Sequence, residues 1–417
     1  MADSSAAPGG PDRGLPSAGR GAAEVPVTRS PASLLLICCL VSFACFLGSY
    51  LRIPVVPLYA AGLGATTAEV GAINAAFMLM AGLLAIPAGL VSDRVGRRTV
   101  VLGGLLIIAA SSFLLYLSAT PTAMIAVYLI FGIGLAAFSP AMMSYVADIA
   151  PPARLGRAYG MYTIAANVAM MLGPAAGGLL GTMLGLRAVF LVSGALTLLM
   201  VIVAGTCLPA AAARSGPQPG LRAACAELGR NRRFRACLLV TFGGCFGFGV
   251  FMTFLPLHLV ALGMDAGHVG LVFAAQALAN ALSRIPFGRL SDRVAERSRL
   301  VAGGLCGLAA ALALTGVCTG LPGMFACAAL LGVSMGVAFT ALAAMIADIV
   351  PRELRGMAMG GYNSCIYLGM AASATTLGAF MAVHGFTNGF LAAGAATLVV
   401  TVLFEGLCRR ARVHPVP

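Results

Sequence analysis

Long hydrophobic stretches, separated by short polar segments, repeat along most of this chain. A helix needs about 20 apolar residues to cross a hydrocarbon core of roughly 30 Å. Because lipid offers no hydrogen bonds to the backbone, each stretch is expected to be a helix. The twelve predicted spans cover residues 33–60, 69–91, 99–118, 122–147, 157–181, 188–208, 236–262, 268–290, 300–319, 322–347, 356–382 and 386–407.

Polar segments divide the spans into two sets of six. The segment 1–31 is rich in Ala, Gly, Pro and Ser without periodicity, which predicts a disordered tail. The predicted organisation is a tail at 1–31, a six-helix half at 32–208, an Arg-rich linker at 209–235, a second half at 236–408 and a tail at 409–417.

Composition excludes a soluble domain. Of the 417 residues, 60% are hydrophobic and 9% are charged, whereas soluble domains carry about 25% charged residues. The net charge of +13 does not indicate nucleic-acid binding, since the basic residues punctuate apolar spans instead of clustering on one soluble surface. No His, Cys and carboxylate set has the spacing of a metal site, so we expect neither a bound metal nor a catalytic centre.

Arginine placement orients the chain. All 26 basic residues are Arg, and 24 of them lie in the tails, the linker, the loops after spans two, four and ten, or the region around the end of span eight. Arg52 and Arg187 are the exceptions. The positive-inside rule therefore predicts that both termini are cytoplasmic, in a multi-pass protein of the inner or plasma membrane.

Three pairs of segments reveal an internal repeat. Residues 86–98 (IPAGLVSDRVGRR) and 285–297 (IPFGRLSDRVAER) agree at eight of thirteen positions. Residues 57–71 and 256–270 agree at six of fifteen positions at the same offset of 199. The third pair of matching segments begins at Asp148 and Asp348, at an offset of 200. The chain is thus interpreted as a tandem duplication of a six-helix unit. Units with an even number of spans share one topology and are related by an axis along the membrane normal.

This layout resembles the major facilitator superfamily, in its groups of twelve-helix drug and metabolite exporters. The resemblance implies an all-α membrane fold with two six-helix halves related by pseudo-two-fold symmetry. The loop between spans two and three is similar to the signature loop of that family, which acts as a conformational latch. The gating motif carried over by the resemblance comprises Gly89, Asp93, Arg94, Gly96, Arg97, Arg98 and Asp148, with a degenerate copy at Gly288, Asp292, Arg293, Arg297 and Asp348.

Span five resembles the antiporter motif of the exporting groups. Its small residues allow close helix packing, and its Pro bends the helix. The motif comprises Gly173, Pro174, Gly177 and Gly178, with Ala169 in place of the usual first Gly. Generic packing around a kink is the alternative. Span four departs from the family pattern, because Tyr128 stands where proton-coupled exporters often carry an Arg.

Ionisable and polar side chains at membrane depth are costly and therefore mark candidate substrate contacts. No carboxylate is predicted in the middle of the membrane. Snorkelling of the Arg side chains and hydrogen bonding between helices are the alternative interpretations. The candidate substrate-binding residues are Arg52, Asn74, Tyr128, Asn167, His258, Gln276, Asn280, Arg284, Asn363 and Tyr367.

These features predict a secondary active transporter that works by alternating access and exports a drug-like compound or metabolite. The resemblance implies a proton as coupling ion and no other cofactor. The alternative is an uptake or facilitative carrier for an organic anion, favoured by Arg52 and Arg284 and by the lack of a carboxylate at mid-membrane. A non-transporting sensor or a membrane enzyme is disfavoured. The expected partners are a small-molecule substrate and the lipid bilayer, with no nucleic acid, and the protein is expected to be a monomer.

Overall fold

The fold is a bundle of long helices, seen in a computed structural model that describes residues 30–151, 154–209, 221–294, 296–351 and 354–413. Within that part of the chain, eleven helices are long and apolar enough to cross a membrane. The helices are α1 (Pro31–Gly62), α2 (Thr67–Val95), α3 (Arg97–Leu117), α4 (Pro121–Ile149), α5 (Leu155–Leu184), α6 (Leu186–Cys207), α7 (Leu221–Arg230), α8 (Arg232–Ala261), α9 (Ala266–Arg293), α10 (Arg297–Val317), α11 (Leu321–Ile349) and α12 (Arg355–Val413).

Helix α12 contains two crossings. Its 59 residues are interrupted at Gly385, whose φ of 80° lies in the left-handed region that favours glycine. We call the segments on either side of Gly385 the first and second arms of α12. The two arms correspond to the predicted spans 356–382 and 386–407, so the fold has twelve crossings. The second arm continues to Val413, into the predicted C-terminal tail.

The short helix α7 is a feature that hydropathy did not predict. Its ten residues, LRAACAELGR, combine apolar side chains with two Arg and one Glu, and they lie within the predicted linker at 209–235. Helix α8 then begins at Arg232, shortly before the predicted span, with Asn231 as its N-cap. The Asn231 side chain accepts a hydrogen bond from the backbone N–H of Phe234 and donates one to the carbonyl oxygen of Ile349. These bonds connect the start of the second half to the end of α11.

The two halves repeat their turns as well as their helices. Left-handed glycines occur at Gly64 and Gly263, at the sequence offset of 199, and at Gly185 and Gly385, at the offset of 200. The offset changes by one between α2 and α3, where Gly96 has a φ of 103°. The same backbone turns at matching positions are what a duplicated six-helix unit requires.

The helix order places the described connections on two faces of the bundle. We call the face with the connections after α2, α4, α9 and α11 the arginine-rich face, because it carries Arg94, Arg97, Arg154, Arg293 and Arg297. The other, which carries the turns at Gly64, Gly185, Gly263 and Gly385, is the opposite face. The first half has a core around Phe138 and Tyr145, and the second a core around Phe251 and Phe254.

Candidate functional site

Close packing joins the two halves near the opposite face. A methyl group on Gly71 of α2 would collide with the carbonyl oxygen of Ala374 in the first arm of α12. On the other side of the bundle, a methyl group on Gly270 of α9 would lie 2.5 Å from the carbonyl oxygen of Pro174 in α5. Backbones approach this closely only where a side chain is absent.

The approach is looser toward the arginine-rich face. Among the described residues, no atom lies within 4 Å of a methyl position added to Gly89 of α2 or to Gly160 of α5. Gly360 of α12 would place such a methyl group 3.4 Å from Ile86, which is an ordinary contact. The halves are therefore packed tightly at one end and more loosely at the other.

A cavity of about 310 Å³ lies between the halves, formed by α1, α2, α4 and α5 of the first half and by α8, α9, α11 and the first arm of α12 of the second. Its size is within the range of sites for small organic molecules. Most of the lining is aromatic or sulfur-bearing, and methionine adapts to ligands of irregular shape. The apolar lining residues include Phe46, Phe77, Met78, Phe131, Met170, Phe248, Met252, Met335, Phe339 and Met370.

Six of the ten candidate substrate contacts line this cavity: Asn74, Tyr128, Asn280, Arg284, Asn363 and Tyr367. They come from four different helices, two in each half. Ser49, Tyr50, Cys245 and Tyr362 are polar lining residues that were not among the candidates. No carboxylate is among the described residues that form the cavity wall.

Arg284 supplies the positive charge at the cavity wall, and its orientation is fixed through α11. The Asn280 side chain donates a hydrogen bond to the carbonyl oxygen of Gly332, at 3.2 Å. Its own amide oxygen accepts a hydrogen bond of 3.0 Å from Arg284 Nε. The i, i+4 spacing of the two residues on α9 puts them on one helix face. This arrangement can present the guanidinium to a polar or anionic group in the cavity.

The other four candidates lie away from the cavity lining. The Gln276 side chain is buried 4.0 Å from the sulfur of Met335. His258 is buried among Phe386 and Phe390, and its Nε2 lies 3.2 Å from the carbonyl oxygen of Thr315. Asn167 is half-buried on α5.

Arg52 is the fourth of these, and it is fully buried inside the first half. Its Nη1 donates a hydrogen bond of 3.3 Å to the hydroxyl of Ser111, and its guanidinium lies 4.1 Å from the centre of the Phe131 ring. Within the described residues, Arg52 Nε and Nη2 have no hydrogen-bond partner. A desolvated cation–π contact stabilises the buried charge by about 2 kcal/mol, whereas transferring one ion from water into the protein interior costs several kcal/mol even after relaxation. The charge is thus incompletely compensated.

The gating motif forms an ion pair in each half. Arg97 Nε at the start of α3 lies 2.7 Å from the carboxylate of Asp148 at the end of α4, and both side chains are 14% exposed. In the second half Arg297 pairs with Asp348, whose side chain is 64% exposed. The two ion pairs match at an offset of 200, so Arg97 corresponds to Arg297. The gapless alignment of the two sequence segments had instead matched Arg98 with Arg297. The side chains of Asp93 and Asp292 lie outside the described part of the chain.

The remaining motif residues differ in their surroundings. Arg98 donates a hydrogen bond to the carbonyl oxygen of Gly205, near the C-terminus of α6, where a cation is favourable. Gly288 is in ordinary contact with Thr340, 3.8 Å from an added methyl position. Arg94 and Arg293 are exposed in the last turns of α2 and α9.

The helix-bend motif packs α5 against two neighbours. Gly173 and Gly177 face α1, where a methyl group would collide with Tyr50 and with the carbonyl oxygen of Leu51. Gly178 faces Ala266 of α9, across the boundary between the halves. Pro174 is inside α5. The motif therefore contributes to the tight packing near the opposite face.

The duplicated fold and its central cavity have counterparts among known proteins. The family model described as Major Facilitator Superfamily matches residues 38–267 and again residues 237–416. The chain belongs to the major facilitator superfamily. The two matches correspond to the two halves, and members of this superfamily are transporters.

Similar proteins include transporters that are named for different activities. An uncharacterised MFS-type transporter, MJ1560 of Methanocaldococcus jannaschii, is 24% identical over 87% of this chain and 95% of its own length. The quinolone resistance protein NorA of Staphylococcus aureus is 29% identical over 39% of this chain and 41% of its own length. The solved structure of the nucleoside transporter NupG is 16% identical, with a TM-score of 0.76 over 90% of this chain and 99% of that one, which shows the fold alone.

Proposed function

We propose that this transporter exports small amphipathic organic molecules from the cytoplasm through the cavity between its halves. The cavity carries the proposal: aromatic and methionine side chains form most of its wall, and a few amides, hydroxyls and one guanidinium interrupt it. Such a wall suits a solute with a large apolar part and a neutral or acidic polar group. The absence of a carboxylate among the described lining residues disfavours a cationic solute.

Alternating access gives the cavity its role. The distribution of Arg over the chain supports a cytoplasmic arginine-rich face, by the positive-inside rule. The tight packing near the opposite face then favours a cytoplasm-open state, in which a solute enters before the halves rock about the central site. The ion pairs Arg97–Asp148 and Arg297–Asp348 lie on the cytoplasmic face in this scheme, where they would act in the gating.

Export, as opposed to uptake, rests on two supports. The Gly173-Pro174 motif resembles that of the exporting groups, and NorA, similar over 161 residues, is named for quinolone resistance. A proton gradient is the proposed energy source. No carboxylate is among the described residues of the cavity wall, so the residue that couples transport to protons lies elsewhere in this proposal. Tyr128 occupies the place of the Arg found in proton-coupled exporters.

The test compares a deletion strain with an overexpressing strain on a panel of toxic amphipathic compounds. We expect overexpression to raise the tolerated concentration of some neutral or anionic members at least fourfold, and deletion to lower it. The matched control is overexpression of the Gly178→Trp variant, whose side chain would collide with α9. Equal tolerance in all strains across the panel would contradict export.

An uptake or facilitative carrier for an organic anion is the second candidate. Arg284 in the cavity wall, with no carboxylate beside it among the described lining residues, favours this alternative. Membrane vesicles with an imposed pH gradient separate the two. Export driven by protons predicts accumulation in inside-out vesicles that collapses with the gradient, whereas a facilitative carrier equilibrates its substrate without one.

A further inference from the structure

Arg52 is a buried cation that neither the fold nor the cavity wall explains. Its side chain is 0% exposed, and Nε and Nη2 lack partners within the described residues. The groups in contact with the guanidinium are neutral: the Ser111 hydroxyl and the Phe131 ring. The Ser111 hydroxyl donates its own hydrogen to the carbonyl oxygen of Ile108, so it can only accept from Arg52.

The second half shows that this position does not require a cation. Phe251 is the repeat counterpart of Arg52, at the offset of 199. It is also 0% exposed, and it packs against Phe248 and Phe273. The same six-helix unit can therefore fill this space with an apolar ring. A guanidinium stays protonated in proteins, so the first half carries a permanent buried charge that needs an anion as its partner.

The central cavity provides the route for that anion. Phe131 and Tyr128 both line the cavity, and Phe131 stacks its ring on the guanidinium. The two rings contact each other and Phe77, with centroid distances of 5.3 to 5.7 Å. One layer of aromatic side chains thus separates Arg52 from the cavity, and side-chain rotation in that layer would connect them.

We propose that Arg52 is the counter-charge of an anion-binding subsite that opens from the central cavity between Phe131 and Tyr128. The ligand chemistry is a compact anionic group, either the carboxylate of a transported amphipathic solute or a free halide. Arg52 binds the anion through Nε and Nη2, and Ser111 holds Nη1. The proposal rests on the proposed function only in that the anion enters through the same cavity.

The test measures thermal unfolding of the full-length protein in lipid nanodiscs, without transport. The probes are chloride against gluconate at constant ionic strength, and benzoate against its neutral counterpart benzamide. We expect chloride, benzoate or both to raise the Tm of the wild type, with an affinity at least tenfold weaker in Arg52→Gln. Benzoate alone would identify a solute carboxylate, and chloride alone a free halide.

Further variants keep the result interpretable. Arg52→Phe copies the second half and is expected to fold, with a Tm in gluconate at least equal to that of the wild type and no anion response. Arg52→Lys retains the charge and should retain part of the response. Arg284→Gln is the matched control for an anion bound at the cavity wall instead.

Two results would overturn the proposal. One is a wild type that responds to neither anion, and the other is an anion response that survives in Arg52→Gln but disappears in Arg284→Gln. Failure of export with an intact, Arg52-dependent anion response would contradict the proposed function and leave this site standing. The two failures are therefore distinguishable.

Discussion

The two halves of this transporter share a backbone plan but place their positive charges differently. Both have an Arg–Asp pair at the arginine-rich face and left-handed glycines at matching turns. The first half encloses Arg52 in its core, where the second half has Phe251. The second half instead directs Arg284 to the cavity wall, held by Asn280.

This difference separates what the fold needs from what the function needs. Features present twice, such as the turns and the pairs Arg97–Asp148 and Arg297–Asp348, belong to the architecture that the two six-helix units share. Features present once, such as Arg52 and Arg284, are not required to build a unit. They are the residues most suited to a role with a particular solute, since intramembrane ions are costly to retain without one.

Placing a buried charge in the second half, at the position that corresponds to Arg52, is expected to have the largest effect. Phe251→Arg places an unpaired cation in a core of Phe248, Phe273 and their neighbours, and should lower the free energy of unfolding by about 3–5 kcal/mol. We expect little monodisperse protein by size-exclusion chromatography. Phe251→Leu is the control for lost ring volume. A stable, well-expressed Phe251→Arg protein would show that this core position tolerates charge in either half.

The two ion pairs are expected to differ in strength. Asp148→Asn disrupts a pair in which both side chains are 14% exposed, and should cost about 1–3 kcal/mol because little water screens the two charges. Asp348→Asn acts on a carboxylate that is 64% exposed, where solvent screening limits the cost to about 0–1 kcal/mol. Thermal unfolding in nanodiscs compares the two. Equal losses of Tm in the two variants would show that the difference in solvent exposure does not make the two ion pairs differ in strength.

A charge added beside Arg284 tests the role of the cavity wall. Asn280→Asp places a carboxylate where the amide oxygen now accepts from Arg284 Nε, which neutralises the local charge. Transport of an anionic substrate should fall by about tenfold, equivalent to about 1.4 kcal/mol, with a smaller effect on a neutral one. Asn280→Leu serves as the control for the lost hydrogen bond to Gly332. Equal losses for both substrates would point to a packing role.

The helix caps at the opposite face should give the smallest effects. Thr66 caps α2 in a capping box with Glu69, and Asp265 caps α9 through the backbone N–H of His268. Thr66→Ala and Asp265→Ala should each cost about 1 kcal/mol in thermal unfolding. Both caps include a carboxylate, since Glu69 accepts hydrogen bonds from the backbone N–H and the hydroxyl of Thr66.

The Asp265 cap should weaken in acid. The backbone N–H of His268 lowers the pKa of the Asp265 carboxyl below its usual range. Its contribution is therefore present above the ordinary carboxyl pKa and is lost as the pH falls through the lowered one. The Tm difference between wild type and Asp265→Ala should shrink over that interval. A difference that grows on acidification would contradict this assignment.

Hydropathy was sufficient to predict the twelve crossings, because each helix must satisfy its backbone within an apolar segment. Gly385 was predicted to lie between two spans, and it is the left-handed residue between the arms of α12. The helix α7 was missed because its ten residues are too few to cross a membrane and include two Arg and one Glu. The repeat predicted two equal units whose offset changes from 199 to 200, and the structure places that change between α2 and α3, since the ion pairs match Arg97 with Arg297.

The cavity was harder to predict than the helices. Residues that face lipid, the core of a half and the cavity are all apolar here, so sequence does not separate Met170 or Phe339 from any buried or lipid-facing neighbour. Polar residues gave a better signal, as Asn74, Asn280 and Asn363 do line the cavity. The direction of a side chain such as Arg52 depends on which helix packs beside it, and one chain's periodicity does not carry that information.

Vesicle transport tests the central claim most directly, namely that the cavity between the halves exports an amphipathic solute. The measurement is gradient-driven accumulation of matched fluorescent anionic, neutral and cationic compounds in inside-out vesicles, for the wild type and Arg284→Gln. We expect accumulation of the anionic or neutral compound, and at least a tenfold loss for the anionic one in Arg284→Gln. Accumulation of the cationic compound alone, unchanged in Arg284→Gln, would contradict it.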